Sequence, residues 1–323
     1  MTCSRSTYRL SIILAFAFFS TVFLSVRIRP IDSNISFAGL VSSVALITGS
    51  SRIRVIEVQD SVATGKTLAP VSICIGTTFR HLTRCLDGFL SWLFLSSKYP
   101  GEIIIAVSEA QNYTHIREIF DPSWLKRLAG VRLLLLLRDD IFNQASNRNL
   151  AASYANFKIL MFWDMDDIMH AQRLALIVDH FATFSDSSAL LHRFITQDKS
   201  DGQEIRKFVT SDPGLQVYEN ISYRDAQKIY LKERERISYG VFWCCLLLKD
   251  LVENIDYHNA WVSVRKSVFM QNKFNESWSM YRAEDSDLTM RLFLRGFNVS
   301  LSRLQLGLYM SSEIKELPVF QIN

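Results

Sequence analysis

Residues 159–167 read Ile-Leu-Met-Phe-Trp-Asp-Met-Asp-Asp, an apolar run that ends in three carboxylates. A short apolar run followed directly by charged residues is typical of a buried strand that leaves its sheet. Alternate side chains of an extended chain share a side, so Asp164 and Asp166 are predicted to point one way and Asp167 the other. Two carboxylates on one side repel each other unless a cation lies between them, and hard oxygen ligands favour Mg²⁺ or Mn²⁺. An acidic turn that binds no metal is the alternative interpretation.

Apolar runs and helical patterns alternate along the chain on both sides of this stretch. Strands are predicted at 71–75, 102–107, 131–137, 159–163, 189–196, 241–248, 260–264 and 299–301, and helices at 82–95, 116–128, 147–156, 171–184 and 286–294. This alternation predicts one α/β domain over residues 70–323, with a mostly parallel sheet flanked by helices. In such sheets ligands bind beyond the carboxyl ends of the strands, where the acidic stretch lies. Residues 197–240 are polar without a clear period and are predicted to form a lid or an acceptor loop.

The N-terminal region predicts a membrane anchor. Residues 10–26 form an uncharged apolar run with arginines on both sides, close to the shortest length that spans a bilayer. We predict a cytoplasmic tail at 1–9, a transmembrane signal anchor at 10–26 and a stem at 27–69, with a cleaved signal peptide as the alternative. Asn-x-Ser/Thr sequons follow the run at Asn34, Asn112, Asn220, Asn275 and Asn298. They favour a single-pass type II glycoprotein whose body lies in the lumen of the Golgi or the endoplasmic reticulum.

Composition and charge argue against some classes of protein. Apolar residues make up 49% of the 323, enough for a sizeable core, and the net charge of +4 gives no support for nucleic-acid binding. None of the five cysteines forms a Cys-x-x-Cys pair, so a structural zinc site is not expected. Cys74 and Cys85 either pair in an oxidising lumen or remain buried free thiols.

Two further segments carry candidate functional residues. Residues 283–288 read Ala-Glu-Asp-Ser-Asp-Leu, and these acids either cap a helix or include a general base, Glu284 or Asp285. Residues 143–149 read Asn-Gln-Ala-Ser-Asn-Arg-Asn at the start of a predicted helix. The guanidinium fork of Arg148 matches the oxygens of a diphosphate, with a solvated surface arginine as the alternative.

Four segments taken in order resemble the inverting family 2 glycosyltransferases of the GT-A fold. They are VSICIGTTFR at 71–80, EIIIAVSEA at 102–110, SNRNLAASYANFKILMFWDMDDI at 146–168 and AEDSDLTMRLFLRG at 283–296. The resemblance implies transfer of a sugar from a nucleotide-sugar donor, by analogy a UDP-sugar, to a hydroxyl of a glycan, glycoprotein or lipid acceptor. It also implies Mn²⁺ or Mg²⁺ as the cofactor and inversion at the anomeric carbon.

The same resemblance implies roles for single residues. Asp164 and Asp166 would hold the metal, with Asp164 on the ribose side of the nucleotide. Asp285, which follows Glu284 in the Glu-Asp motif, would be the catalytic base. The other positions that the resemblance assigns to nucleotide binding are Thr77, Thr78, Glu109 and Arg148.

The chain departs from the family pattern, and two other functions remain open. Ser108-Glu109 stands where an acidic pair is usual, and no histidine follows Asp285 to complete a metal shell. The lack of a Gln-x-x-Arg-Trp sequence argues against a processive polysaccharide synthase. One alternative is a haloacid-dehalogenase-like phosphohydrolase with Asp164 as the nucleophile, although that motif usually lies near the start of its domain. The other is an inactive GT-A domain that only binds its ligand.

Overall fold

The computed structural model describes residues 41–47, 53–58, 68–110, 119–120, 122–128, 130–197, 201–219, 261–277 and 284–310. Its strands are β1 Val41–Ile47, β2 Ile53–Val58, β3 Leu68–Thr78, β4 Tyr99–Ser108, β5 Arg132–Arg138, β6 Ile159–Phe162, β7 Ile168–Met169, β8 Ala189–Gln197, β9 Tyr218–Glu219, β10 Ser263–Arg265 and β11 Val299–Met310. Its helices are α1 Phe79–Leu93, α2 Pro122–Arg127, α3 Gln144–Ser153, α4 Arg173–Thr183, α5 Gly202–Thr210, α6 Lys266–Asn272 and α7 Glu284–Leu294.

The strands of the described residues form one mixed sheet in the order β1-β2-β5-β4-β3-β6-β10-β8-β11-β7, with β9 paired to β11. Strands β5, β4, β3 and β6 run parallel, and β8 runs parallel to β11. β10 lies between β6 and β8 and is antiparallel to both. The predicted α/β sheet flanked by helices is therefore confirmed, but the sheet is mixed and not mostly parallel, since only four of the ten strand pairings in the described residues are parallel.

Helices cover both faces of this sheet because their apolar residues recur at helical spacing. On one face α1 buries Leu82, Leu86 and Phe89, and α2, α4 and α5 share the same core. The other face carries α3, α6 and α7. A side chain at Gly76 in β3 would meet the backbone nitrogen of Arg148 in α3 at 3.0 Å. The missing side chain at Gly76 thus lets α3 lie directly against the end of β3.

Most of the predicted strands are confirmed. Those at 71–75, 102–107, 131–137, 159–163, 189–196, 260–264 and 299–301 correspond to β3, β4, β5, β6, β8, β10 and β11. Two strands, β1 and β2, lie inside the predicted stem of residues 27–69, and β2 pairs with β5. The polar stretch 197–240 contains α5 and β9, which the sequence pattern does not show. The predicted strand at 241–248 lies outside the described residues.

The predicted membrane topology requires a correction. No helix in the described part of the chain is long and apolar enough to cross a bilayer. α1 is the longest of these helices with 15 residues, and at 1.5 Å per residue it is about 22 Å long, shorter than the ~30 Å hydrocarbon core. The predicted single-pass type II protein of the Golgi or endoplasmic reticulum lumen is contradicted by this finding. Residues 10–26, the predicted anchor, themselves lie outside the described residues.

Candidate active site

The predicted site residues gather at the carboxyl ends of three neighbouring strands. β3 ends at Thr78, β4 at Ser108 and β6 at Phe162, and β3 lies between the other two. Beyond β6 the chain turns, and the backbone N–H of Asp167 donates to the carbonyl oxygen of Asp164 at 3.1 Å. This acidic turn therefore lies where ligands of parallel α/β sheets bind.

Arg148 joins the acidic turn to the start of α7. Its Nη2 donates to Asp164 Oδ1 at 2.5 Å, and its Nη1 donates to Glu284 Oε1 at 3.1 Å. The side chain is only 2% exposed and its guanidinium lies 5.5 Å from the ring centre of Phe274. The solvated arginine considered from the sequence is therefore wrong. Both carboxylate partners come from predicted site residues far apart in the chain.

The carboxylates of this cluster stabilise the charge of Arg148, but Arg148 does not fully offset the burial of Asp164. Burial opposes the charge of Arg148, but the carboxylates of Asp164, Glu284 and Asp285 outweigh burial, and the pKa of Arg148 is raised. Burial raises the pKa of Asp164 despite the opposing effect of Arg148. Gln144 Nε2 also donates to Asp164 Oδ1, at 2.7 Å. Asp164 is thus fixed by two side chains of α3.

Asp166 differs from Asp164 because its side chain is 48% exposed. Its Oδ2 lies 3.6 Å from Nε2 of His81. Partial burial alone would raise the pKa of Asp166, but the contact with His81 prevails and the pKa is lowered. The same contact raises the pKa of His81 to about 10. Arg84 Nη2 lies 3.0 Å from Nδ1, the other ring nitrogen of His81. When both ring nitrogens carry protons, Nδ1 cannot accept from Arg84, so the charged form of His81 loses this hydrogen bond.

His81 is placed by the cap of α1. The hydroxyl of Thr78 is the N-cap acceptor and receives the backbone N–H of His81 at 3.3 Å. The predicted role of Thr78 at the nucleobase stays a prediction, and the structure gives this residue the capping role. His81 was not singled out from the sequence, because a lone histidine at the start of a helix carries no pattern of its own.

Asp167 anchors the acidic turn to β11 and to Trp261, which precedes β10. Trp261 Nε1 donates to its Oδ2 at 2.9 Å, and the backbone N–H of Met310 donates to its Oδ1 at 3.1 Å. Trp163 Nε1 donates to its carbonyl oxygen at 3.1 Å, and the rings of Trp163 and Trp261 stack at 4.5 Å. The side chain of Asp167 is buried. Burial raises the pKa of Asp167 well above its usual value.

A second hydrogen-bond group ties β3 to β4 beside the predicted nucleotide position. Asn147 Nδ2 donates to the carbonyl oxygen of Thr77 at 3.1 Å and to Ser108 Oγ at 3.2 Å. Glu109 follows with φ of +60°, in the left-handed region that residues other than glycine rarely adopt. Its side chain is exposed at the strand end. The predicted contact of Glu109 and Thr77 with a nucleobase stays a prediction.

The acids at the start of α7 have different surroundings. Glu284 is bound by Arg148, whereas Asp287 accepts from Arg291 Nε at 2.8 Å one turn further along. Asp285 is half-buried, and its carboxylate is close enough to Arg148 to raise the pKa of that guanidinium. The geometry therefore brings Asp285 and Asp164 to one arginine, although 121 residues separate them by their numbers.

The residues present fit a divalent metal that arrives with its ligand. No three His, Cys, Asp or Glu side chains in the described residues are grouped so that they could hold a metal by themselves. Asp166 has a lowered pKa and is half exposed, so it offers an ionised oxygen ligand. Mg²⁺ is commonly held by one or two carboxylates together with the phosphates of a substrate.

The two cysteines of the described residues, Cys74 and Cys85, are free and buried. Of the two interpretations considered for them, free buried thiols is the one that the structure shows. Burial raises the pKa of Cys74 far above its usual value, which makes that thiol unreactive. Cys85 Sγ lies 3.7 Å from His81 Nε2.

Comparisons with known proteins give similar structures but no similar sequences. No protein-family profile and no curated protein sequence matches the chain. Residues 1–349 of TarS from S. aureus match with a TM-score of 0.49 and 14% identity over 75% of this chain, and the same fragment in complex with UDP-GlcNAc matches with 0.48 and 12% over 78%. A mycobacterial protein matches with 0.42 and 13% over 78% of this chain and 70% of its own length. The chain spans 61% of the TarS fragment. These TM-scores all lie below 0.5, so the function of the chain is inferred from its site residues.

Proposed function

We propose that this chain is a metal-dependent glycosyltransferase that moves a sugar from a nucleoside-diphosphate donor to a hydroxyl of a glycan, glycoprotein or lipid acceptor. UDP-sugars are the first donors to test, because the sequence resembles a family that uses them. The observation that carries the proposal is the contrast between the two acids of the turn. Asp164 is fixed by Arg148 and Gln144, while Asp166 stays ionised and half exposed at the end of the sheet.

This arrangement suits a donor that carries a diphosphate. Asp166 would hold a Mg²⁺ or Mn²⁺ ion, with Asp164 beside it on the ribose side. The metal would neutralise charge on the departing nucleoside diphosphate. Thr77, Glu109 and the end of β4 would border the nucleobase. Arg148 would act through its two ion pairs, which hold Asp164 and the start of α7 at a fixed distance from each other.

Asp285 is the proposed catalytic base. Glu284 is less suited to the role because its carboxylate is bound by Arg148. A positioned carboxylate that takes the proton of the acceptor hydroxyl contributes about 10²–10⁴-fold to the rate. Direct attack by that hydroxyl on the anomeric carbon gives a single displacement with inversion.

The phosphohydrolase alternative receives less support from the same contacts. There Asp164 would have to attack a phosphoryl group, and a nucleophile needs access to its substrate. Asp164 is 18% exposed, and its Oδ1 accepts from both Arg148 and Gln144. An inactive binding domain can be told apart from a transferase by experiment, because it would bind a nucleotide-sugar without releasing the nucleotide.

The test is nucleotide release from a panel of nucleotide-sugars with purified protein and Mn²⁺. We expect turnover with a UDP-sugar that chelation abolishes, and Asp166→Asn to lose metal-dependent donor binding. Asp285→Asn should keep donor binding and lose transfer by about 10²-fold or more. Asp287→Asn is the matched control on the same helix, and it should retain transfer. Wild-type transfer by Asp285→Asn would exclude this base, and retention of anomeric configuration would exclude the single displacement.

A further inference from the structure

A buried polar group lies on the sheet face that α4 covers. It consists of Arg173 at the start of α4, His192 in β8 and Ser263 in β10, and all three side chains are fully or almost fully buried. Ser263 in β10 pairs with Leu190 in β8, and His192 follows Leu190 by two residues. The side chains of Ser263 and His192 therefore point to the same face of the sheet. Arg173 Nη2 donates at 2.8 Å to the carbonyl oxygen of Trp261, two residues before Ser263.

This group has an unusual share of unpaired polar atoms. Four of its buried side-chain atoms have no hydrogen-bond partner in the described residues: Arg173 Nε, Arg173 Nη1, His192 Nδ1 and Ser263 Oγ. Buried polar groups of folded proteins are almost always hydrogen-bonded, because leaving one unpaired is costly. Four such atoms on three side chains at one face of the sheet therefore point to a bound species.

All four atoms are hydrogen-bond donors. The two nitrogens of Arg173 carry only protons, and a serine hydroxyl donates readily. The amide nitrogen of Gln216 lies 3.4 Å from His192 Nε2. Because the amide nitrogen can only donate, Nε2 must be the acceptor, and the proton of the neutral ring is then on Nδ1. Burial lowers the pKa of His192 well below its usual value, which keeps the ring neutral.

The charge of the group points in the same direction. Arg173 is fully buried, and no carboxylate in the described part of the chain opposes the effect of burial, which lowers its pKa to about 9. The ring centres of Trp163 and Trp261 lie 4.8 Å and 5.8 Å from its guanidinium and offset the charge only in part. A buried cation without a partner is strongly unfavourable.

We propose that a small inorganic anion of about the size of chloride binds between Arg173, His192 and Ser263. An anion accepts all four hydrogen bonds and balances the buried charge. A water molecule would bring two protons of its own, and of these unpaired atoms only Ser263 Oγ could accept one; water would also leave the charge of Arg173 unbalanced. This anion site is independent of the proposed transferase activity.

The experiment measures thermal unfolding of the full chain at constant ionic strength while chloride replaces gluconate, an anion too large for the site. The melting temperature should rise with chloride and then level off, by about 2–4 °C. Ser263→Ala should need more chloride for the same rise, and Arg173→Met should lose the rise. Arg127→Met is the matched control, because Arg127 also lies over an aromatic ring, that of Phe94, but is exposed.

Two outcomes overturn the proposal. One is a wild-type melting temperature that does not respond to chloride. The other is a response of equal size in Ser263→Ala and Arg173→Met, which is a general salt effect. If Arg173→Met does not fold, Ser263→Ala and crystals grown in bromide decide. An anomalous bromide peak within about 3.5 Å of the unpaired nitrogens of Arg173 supports the site, and its absence overturns it.

Discussion

Replacing Arg148 with methionine should destabilise the protein by removing the charge between two carboxylates. Methionine keeps an apolar stem of similar length against Phe274 but cannot pair with Asp164 or Glu284. Breaking a buried ion pair by removing one partner costs about 3–5 kcal/mol. Asp164 and Glu284 keep 18% and 14% exposure, so water reaches them and the lower half of that range applies. We expect a loss of about 3 kcal/mol, or roughly 6–12 °C in melting temperature.

The loss should depend on pH in a defined direction. The pKa of Asp164 is raised by burial even with Arg148 present, and removing the arginine raises it further. A carboxylate with a raised pKa binds more protons in the folded state than in the unfolded state. Stability therefore falls as pH rises through that pKa, and the deficit of Arg148→Met should be smaller at pH 5 than at pH 8.

Denaturant unfolding followed by circular dichroism at pH 5 and pH 8 measures both effects. Adding Asp164→Asn to Arg148→Met should recover part of the loss, since it removes one of the unpaired charges. The exposed Arg127→Met should change stability by less than about 0.5 kcal/mol. A loss below about 1 kcal/mol, or an equal deficit at the two pH values, would refute the idea that Arg148 balances buried charge.

Three other predictions follow from single contacts. His81 has a pKa of about 10 beside Asp166. It therefore contributes stability that is complete below its unfolded pKa of about 6.5 and is lost as pH rises to about 10. His81→Gln should remove this dependence of stability on pH, and ring nitrogen NMR should show a charged imidazole at pH 8. Glu102 is fully buried and accepts from Arg132 at 2.8 Å, so Glu102→Gln should lose about 3 kcal/mol in denaturant unfolding, and a loss under 1 kcal/mol would contradict this. A side chain at Gly307 would lie 1.6 Å from the ring of Trp261, so Gly307→Ala should cost at least about 1–3 kcal/mol and change tryptophan fluorescence; unchanged unfolding and emission would exclude the close packing.

The sequence determined the elements whose pattern is local. Continuous apolar runs predicted β3, β4 and β6 because strands buried on both faces need apolar side chains at every position. The same rule placed the acidic turn at a carboxyl end of the sheet. Strand alternation does not account for Asp167, because the chain turns between Asp164 and Asp167; the fold buries its side chain, and Trp261 and Met310 donate to its two oxygens.

Tertiary structure alone decided which residues meet. Arg148 pairs with Glu284, 136 positions away, and His81, which follows the carboxyl end of β3, approaches Asp166 beyond β6. The strand β10 enters the sheet in reverse between β6 and β8, which brings Trp261 to the acidic turn. Periodicity records only which face of an element is buried. The partner of a charged side chain depends on how distant segments pack. A buried charge is stabilised by an opposite charge, and the fold decides which opposite charge lies close to it.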